Sequence, residues 1–188
     1  MRLRVSGTDS IGLLELTSVA AGYRATDAML KAAPVSLLIA RSICSGKYLV
    51  VIGGDVASVN ASVGAGAGSA EGYLIEREVI SRIHPDVFPA IGMAVQLTGA
   101  DARALGVIET FSASSIVRAA DAAVKTADVK LFRVHLAMAL GGKGFALVTG
   151  DVASVEAAVA AGAEAADGMT AGISVIPAPD QALFREYI

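Results

Sequence analysis

The residue best suited to redox or metal chemistry occurs once, as Cys44 in the segment Cys44-Ser45-Gly46-Lys47. A single cysteine cannot form a disulfide within its own chain, and no Cys-x-x-Cys pair or Cys/His set with zinc spacing accompanies it. Thiolates bind zinc, copper and iron–sulfur clusters, but such sites use several ligands. Any metal or redox chemistry at Cys44 therefore requires groups from a second molecule.

Two Gly-Lys dipeptides, Gly46-Lys47 and Gly142-Lys143, raise the question of a phosphate-binding loop. The P-loop needs a glycine five residues before its Gly-Lys and a serine or threonine directly after it. Arg41 and Ala137 occupy the earlier position, and neither lysine is followed by Ser or Thr. These segments do not form a P-loop.

The acidic and histidine side chains do not form a recognisable catalytic set. Glu15 and Glu109 occupy equivalent places in two similar segments, which indicates a repeated structural role rather than an acid/base pair. His84 and His135 are not equivalent, and neither has an evident third partner. The sequence also has no Gly-x-Ser-x-Gly nucleophile motif. We predict that the protein is not an enzyme.

The composition narrows the class of protein further. Hydrophobic residues make up 54% of the 188 residues, charged residues 18%, and the formal net charge is −3, which disfavours nucleic-acid binding. No run of roughly 20 apolar residues is present, and the first residues do not form a signal peptide, so we expect a cytoplasmic protein that does not enter a membrane. A mean hydropathy of +0.62 predicts apolar surface that oligomerisation would cover.

An internal repeat organises the chain. Ile11–Glu15 and Asp27–Lys31 recur at 105–109 and 121–125, at a constant offset of 94 residues. Gly54–Val59 recurs at 150–155 with an offset of 96, so two residues were inserted near the Gly-Lys segments. We predict a tandem duplication of a unit of roughly 90 residues, with domains at 10–97 and 104–188.

Each unit reads as β-α-β-β-α-β, an α/β (α+β, ferredoxin-like) arrangement in which helices cover a sheet. In the first unit we predict strands at 11–16, 35–43, 48–52 and 73–80, and helices that begin after the N-caps Ser18 and Asp55. The turn between the middle strands holds Cys44. Val56, Val59 and Val63, with their counterparts Val152, Val155 and Val159, predict one apolar helix stripe used twice. We interpret the Gly-Ala repeat at 64–68 as small-residue packing or helix termination.

The duplicated motifs resemble bacterial microcompartment shell domains over essentially the whole chain from Ile11. Three of these motifs are a Gly-x-x-Glu near each first strand, a Gly-Lys between the middle strands and a Gly-Asp-Val before each second helix. The fourth is an Asp-x-x-x-Lys-x-Ala with a following valine. It occurs in the first unit as Asp27, Lys31, Ala33 and Val35, and in the second as Asp121, Lys125, Ala127 and Val129. Two fused domains resemble the tandem-domain class, which implies a homotrimer that imitates a hexamer. Ser42–Lys47, Arg133–His135 and Gly141–Lys143 are most similar to the propanediol-utilisation subtype.

The resemblance implies a role for Cys44. In this family the loop between the second and third strands lines a central pore, so Ser45, Gly46 and Lys47 would line it and three copies of Cys44 would meet on the threefold axis. The resemblance thus implies one [4Fe–4S] cluster per trimer, with Cys44 as the metal ligand of each subunit. The alternative is that Cys44 is an ordinary small residue of a turn.

The resemblance also assigns Lys31 and Lys125 to the edges at which neighbouring assemblies tile into a layer with other microcompartment shell proteins. The alternative is two solvated i,i+4 ion pairs with Asp27 and Asp121. Family members often carry a Pro-Arg-Pro-His-like segment near the domain end. The corresponding segments of this chain are Ile176-Pro177-Ala178-Pro179-Asp180 and Ile83-His84-Pro85-Asp86. Because the arginine is absent from both, we expect an edge contact that is built differently.

We therefore expect a shell component of a bacterial microcompartment, with a cluster at its pore that transfers electrons to a redox partner or delivers clusters to enclosed enzymes. Two alternatives stay open. One is a metal-free pore, lined by Ser45, Gly46 and Lys47, for small polar metabolites. The other is a ligand-sensing module of ferredoxin-like fold.

Overall fold

The structure is a computed structural model that describes residues 8–101, 103–138 and 140–185, with the backbone alone at Ser45. The described chain forms two compact units that divide between residues 83 and 84. The repeat predicts that residues 84–97 belong to the first domain, whereas in the structure they belong to the second unit. Val87 and Phe88 are buried there, and the helix that holds them packs against a strand of that unit. The predicted second domain ends at residue 188, and residues 186–188 lie outside the described part.

The first unit follows the predicted order β-α-β-β-α-β. Its elements are β1 (Ser10–Leu16), α1 (Val19–Ala32), β2 (Ser36–Ser42), β3 (Tyr48–Gly54), α2 (Val56–Ser69) and β4 (Leu74–Ser81). All strands pair antiparallel in the order β2-β3-β1-β4. This order places β1 and β3 at the centre of the sheet, where every one of their residues is buried.

The second unit repeats this plan after a short additional helix. Its elements are α3 (Val87–Ile91), β5 (Ala104–Thr110), α4 (Ala113–Thr126), β6 (Lys130–His135), β7 (Gly144–Gly150), α5 (Val152–Ala165) and β8 (Thr170–Ile176). The sheet order is β6-β7-β5-β8, again antiparallel. The predicted duplicated α/β fold is confirmed.

The helices begin where the sequence predicts them. Ser18 accepts a hydrogen bond from the backbone N–H of Ala21, and Asp55 accepts from those of Ala57 and Ser58. Each cap satisfies a backbone donor that the first helical turn leaves unpaired. Each helix that follows has 14 residues, and no helix of the described chain is long and apolar enough to cross a membrane.

The predicted valine stripe is correct in its later members only. Val59 and Val63 of α2 are buried against the sheet, as are Val155 and Val159 of α5. Val56 and Val152 are 43% and 36% exposed, because each occupies the first position of its helix, before the turn that contacts the sheet.

A glycine on each central strand brings helix and sheet together. A Cβ atom on Gly12 would lie 2.5 Å from Val63, and one on Gly106 would lie 2.7 Å from Val155. Only glycine permits these close approaches, so the valines of the second helix of each unit pack directly on the strand backbone.

Candidate functional site

Cys44 lies in the tight turn that joins β2 to β3. The backbone N–H of Ile43 donates to the carbonyl of Lys47 over 2.8 Å, and Cys44–Gly46 form a single 3-10 turn between them. Gly46 has a φ of +73°, which a side chain would strain. Cys44 is half-buried and is not in a disulfide. The turn thus holds one thiol in a defined backbone conformation at one end of the sheet.

Lys47, which closes this turn, is held by a buried glutamate. Its Nζ lies 2.8 Å from Oε1 of Glu15 on β1, and the Glu15 side chain is only 5% exposed. Oε2 of Glu15 is buried and has no hydrogen-bond partner among the described residues. The Glu15–Lys47 pair therefore ties the cysteine turn to the centre of the sheet. The assignment of Ser45, Gly46 and Lys47 to a pore lining stays a prediction, and the Ser45 side chain lies outside the described residues.

The second unit repeats this ion pair in a more exposed form. Lys143 Nζ lies 3.3 Å from Oε1 of Glu109, and the two side chains are 41% and 37% exposed. The repeated structural role predicted for Glu15 and Glu109 is thus an ion pair with the lysine of each Gly-Lys segment. Sequence reasoning missed this partner, although both members of the pair recur in both copies.

The turn of the second unit has no thiol and is longer, as the two-residue insertion predicts. Met138 occupies the place of Cys44, and residues 136–143 connect β6 to β7. His135 stacks on Phe145 with ring centroids 4.9 Å apart, and its Nε2 lies 2.6 Å from the Met138 carbonyl oxygen. This turn is stabilised by an aromatic contact that the first unit cannot make, since Arg41 and Leu49 pair at the equivalent place.

The predicted edge lysines occupy the last turns of α1 and α4. Lys31 pairs with Asp27 over 2.7 Å, and both side chains are more than 60% exposed. Lys125 pairs with Asp121, which is only 10% exposed and also accepts a 2.7 Å hydrogen bond from the backbone N–H of His84. The two lysines therefore have different surroundings, although they share one place in the repeat. Their role in tiling stays a prediction.

A polar cleft of about 300 Å³ in the second unit is bounded by Asp86, Asp101, Arg103 and Lys130. Asp101 accepts hydrogen bonds from the Thr98 backbone N–H, from the Thr98 hydroxyl and from Lys130, and these bonds lower its pKa to about 2. These three bonds satisfy the Asp101 carboxylate and connect the chain before β5 with Lys130, the first residue of β6.

The residues of one chain do not by themselves fit an iron–sulfur cluster. No group of three or more His, Cys, Asp or Glu side chains that could hold a metal occurs in the described part of the chain. A [4Fe–4S] cluster is held by up to four cysteine thiolates, and this chain supplies one. Three copies of Cys44 would supply thiolate ligands to three of the four irons, and the fourth iron would need a ligand from another source.

Comparison with known proteins gives the family. The BMC domain model matches residues 10–83 and 104–179. The bacterial microcompartment shell protein PduT of Citrobacter freundii is 42% identical over 96% of this chain and 98% of its own length. The carboxysome assembly protein CcmO of Synechocystis is 34% identical over 89% of this chain and 61% of its own length.

Two solved structures agree with this result. A microcompartment protein from Desulfitobacterium hafniense DCB superimposes with a TM-score of 0.89 at 49% identity, covering 94% of this chain and 98% of its own. A fused, permuted hexameric shell protein of the RMM microcompartment has a TM-score of 0.61 at 23% identity, covering 87% of this chain and 83% of its own, and this likeness concerns the fold alone. The chain belongs to the BMC domain family and is a PduT-like structural protein of a bacterial microcompartment shell.

Proposed function

We propose that this shell protein forms a homotrimer around a central pore and that the Cys44 thiolates of its three subunits bind one [4Fe–4S] cluster on the threefold axis. The cluster would take up and release single electrons, so the trimer would transfer electrons across the shell between redox partners. In this proposal the protein is a structural and electron-transferring component and not an enzyme.

The position of Cys44 is the observation that carries the proposal. It is the single thiol of the chain and lies in a closed turn at one end of its sheet. A cyclic homotrimer brings the same residue of each subunit around one axis, and thus provides three ligands where one chain provides one. Two similar domains per chain also support a trimer, since three chains then supply six units for a pseudohexameric ring.

The residues after Cys44 would support the site. The backbone N–H groups of Ser45 and Gly46 are the first hydrogen-bond donors after Cys44 in the sequence. Hydrogen bonds to cysteine sulfur atoms raise the reduction potential of an iron–sulfur centre. The backbone of this turn would therefore contribute to the redox properties of the trimer.

We further propose that Lys31 and Lys125 contribute to the edges through which trimers tile with one another and with other shell proteins. Both lysines lie at the end of a helix in equivalent places of the two units. The exposed Lys31 and Asp27 side chains offer both charges to a neighbouring edge.

A metal-free pore for small polar metabolites is the second candidate. The ion pair of Lys47 with Glu15 favours it, because this pairing neutralises the one charged residue of the cysteine turn. A trimer with such turns would present a pore of polar backbone and small side chains without a strong charge.

Iron and acid-labile sulfide analysis distinguishes the two candidates. We expect about four irons per trimer in protein purified without oxygen, since one [4Fe–4S] cluster would serve three chains. Cys44→Ser should remove this iron and the visible absorption, whereas Met138→Ser, at the equivalent place of the second unit, should leave both unchanged. Protein that stays colourless and iron-free after anaerobic reconstitution would instead support the metal-free pore.

A further inference from the structure

The Glu15–Lys47 ion pair connects the buried centre of the first sheet with the turn that carries the thiol. Glu15 lies on β1, and its side chain is 5% exposed. One carboxylate oxygen accepts from Lys47 over 2.8 Å, and the other is buried without a hydrogen-bond partner among the described residues. Lys47 is therefore the cation that offsets this buried carboxylate, and each group restricts the position of the other.

The position of Lys47 makes its charge relevant to Cys44. The two residues stand three apart in a 3-10 turn whose ends are joined by the bond from Ile43 to Lys47. The first and fourth Cα atoms of such a turn lie within about 7 Å of each other. A lysine side chain is long enough to bring an unpaired ammonium group near the thiol. The pairing with Glu15 directs this group to β1.

The second unit contains the same pair without the thiol, and there the pair is looser. Lys143 and Glu109 are 3.3 Å apart, and both are more than a third exposed. The closer and more buried pair thus occurs in the turn that holds Cys44. The lysine is therefore held more tightly in the turn that holds Cys44 than in the turn of the second unit.

We propose that Glu15 is a positioning residue for the Cys44 site, which holds the Lys47 ammonium against β1 and so keeps a free positive charge away from the thiol. This inference rests on the proposed function of the turn as the ligand-bearing site. It predicts that loss of the Glu15 carboxylate changes the electrostatic field at Cys44 without a change in the Cys44 side chain.

Paired alkylation rates measure this field directly. Iodoacetate is an anion and iodoacetamide is neutral, so the ratio of their rates with Cys44 reports the local charge and cancels differences in exposure and in thiolate fraction. For Glu15→Gln in the iron-free full-length protein, we expect a ratio roughly three times that of the unchanged protein at low salt, the effect of one unit charge about 6 Å away in water. The increase should disappear in about 1 M salt.

Matched variants isolate the pair. Glu15→Gln combined with Lys47→Met should return the ratio to that of the unchanged protein, because both charges are then absent. Glu109→Gln, which breaks the equivalent pair in the second unit, should leave the ratio unchanged. Circular dichroism checks folding, and Glu15→Asp, which keeps the charge and shortens the side chain, should give an intermediate ratio if Glu15→Gln does not fold.

An unchanged ratio in folded Glu15→Gln protein, or an equal rise in Glu109→Gln, would overturn the inference. Neither result depends on iron content. The inference can thus fail in a protein that binds a cluster, whereas an iron analysis that rejects the cluster removes the ligand-bearing role on which the inference rests.

Discussion

At the scale of single residues, the two lysines at equivalent helix ends have different partners. Lys31 pairs with an aspartate in solvent, where ion pairs contribute about 0 to 1 kcal/mol. Lys125 pairs with Asp121, which is nine-tenths buried and fixes the backbone N–H of His84. Only the second pair is built into the interior of its unit, so the two lysines should respond differently to substitution.

We predict that Lys31→Ala leaves the free energy of unfolding nearly unchanged, whereas Lys125→Ala lowers it by about 1 to 3 kcal/mol, because a buried carboxylate then loses a partner. Chemical denaturation followed by circular dichroism measures both values.

Electron microscopy of the same samples should show that Lys31→Ala no longer forms extended layers. Equal stability of the two variants, or normal layers from Lys31→Ala, would contradict this interpretation.

The residues of the cysteine turn show how far the sequence predicts a site. The sequence locates Cys44 in a turn between two strands because glycine and polar residues separate two β-type segments there. It does not reveal that Lys47 contacts Glu15, since the two residues are 32 positions apart and meet only when β1 pairs with β3. The recurrence of both residues in the second copy was the available signal.

At the scale of elements, α2 shows how a glycine-rich segment can be a regular helix. Residues 64–68 alternate glycine and alanine, yet the helix extends from Val56 to Ser69. A Cβ atom on Gly66 would lie 2.5 Å from Met29 and 2.7 Å from Leu14, whereas Gly64 and Gly68 have open space. Gly66 therefore serves the close packing of α2 on α1 and β1, and the other two do not.

This contrast predicts opposite effects of two neighbouring substitutions. Gly66→Ala should destabilise the protein by about 1 to 3 kcal/mol, because the added methyl group overlaps Met29 and Leu14. Gly64→Ala should be neutral or stabilising by up to about 1 kcal/mol, since alanine favours the helix and meets no neighbour. Urea unfolding of both variants tests the prediction, which fails if Gly64→Ala destabilises as much as Gly66→Ala.

Element types and order were predictable because periodicity, caps and turns agree in both copies. The strand limits of the first unit differ from the predicted ones by at most two residues, as at β3, which extends to Gly54. The place of residues 84–97 was not predictable from the repeat. Their buried side chains, Val87 and Phe88 among them, find their contacts in the second unit, and such contacts leave no local pattern.

At the scale of the whole molecule, duplication allows two copies of one element to diverge. One turn holds Cys44 and a buried ion pair, and the other holds Met138 and an aromatic stack. Six identical domains around one axis would repeat every feature six times. In the proposed trimer, a chain with two domains places a thiol three times, which gives three of the four cluster irons a protein ligand.

Native mass spectrometry of anaerobically purified full-length protein tests this central claim most directly, because one spectrum reports both subunit number and bound mass. We predict three chains plus four irons and four sulfides, and three chains alone for Cys44→Ser. Monomers or dimers in both samples, or a trimer that carries no added mass after reconstitution, would contradict the claim that three Cys44 thiolates hold one cluster.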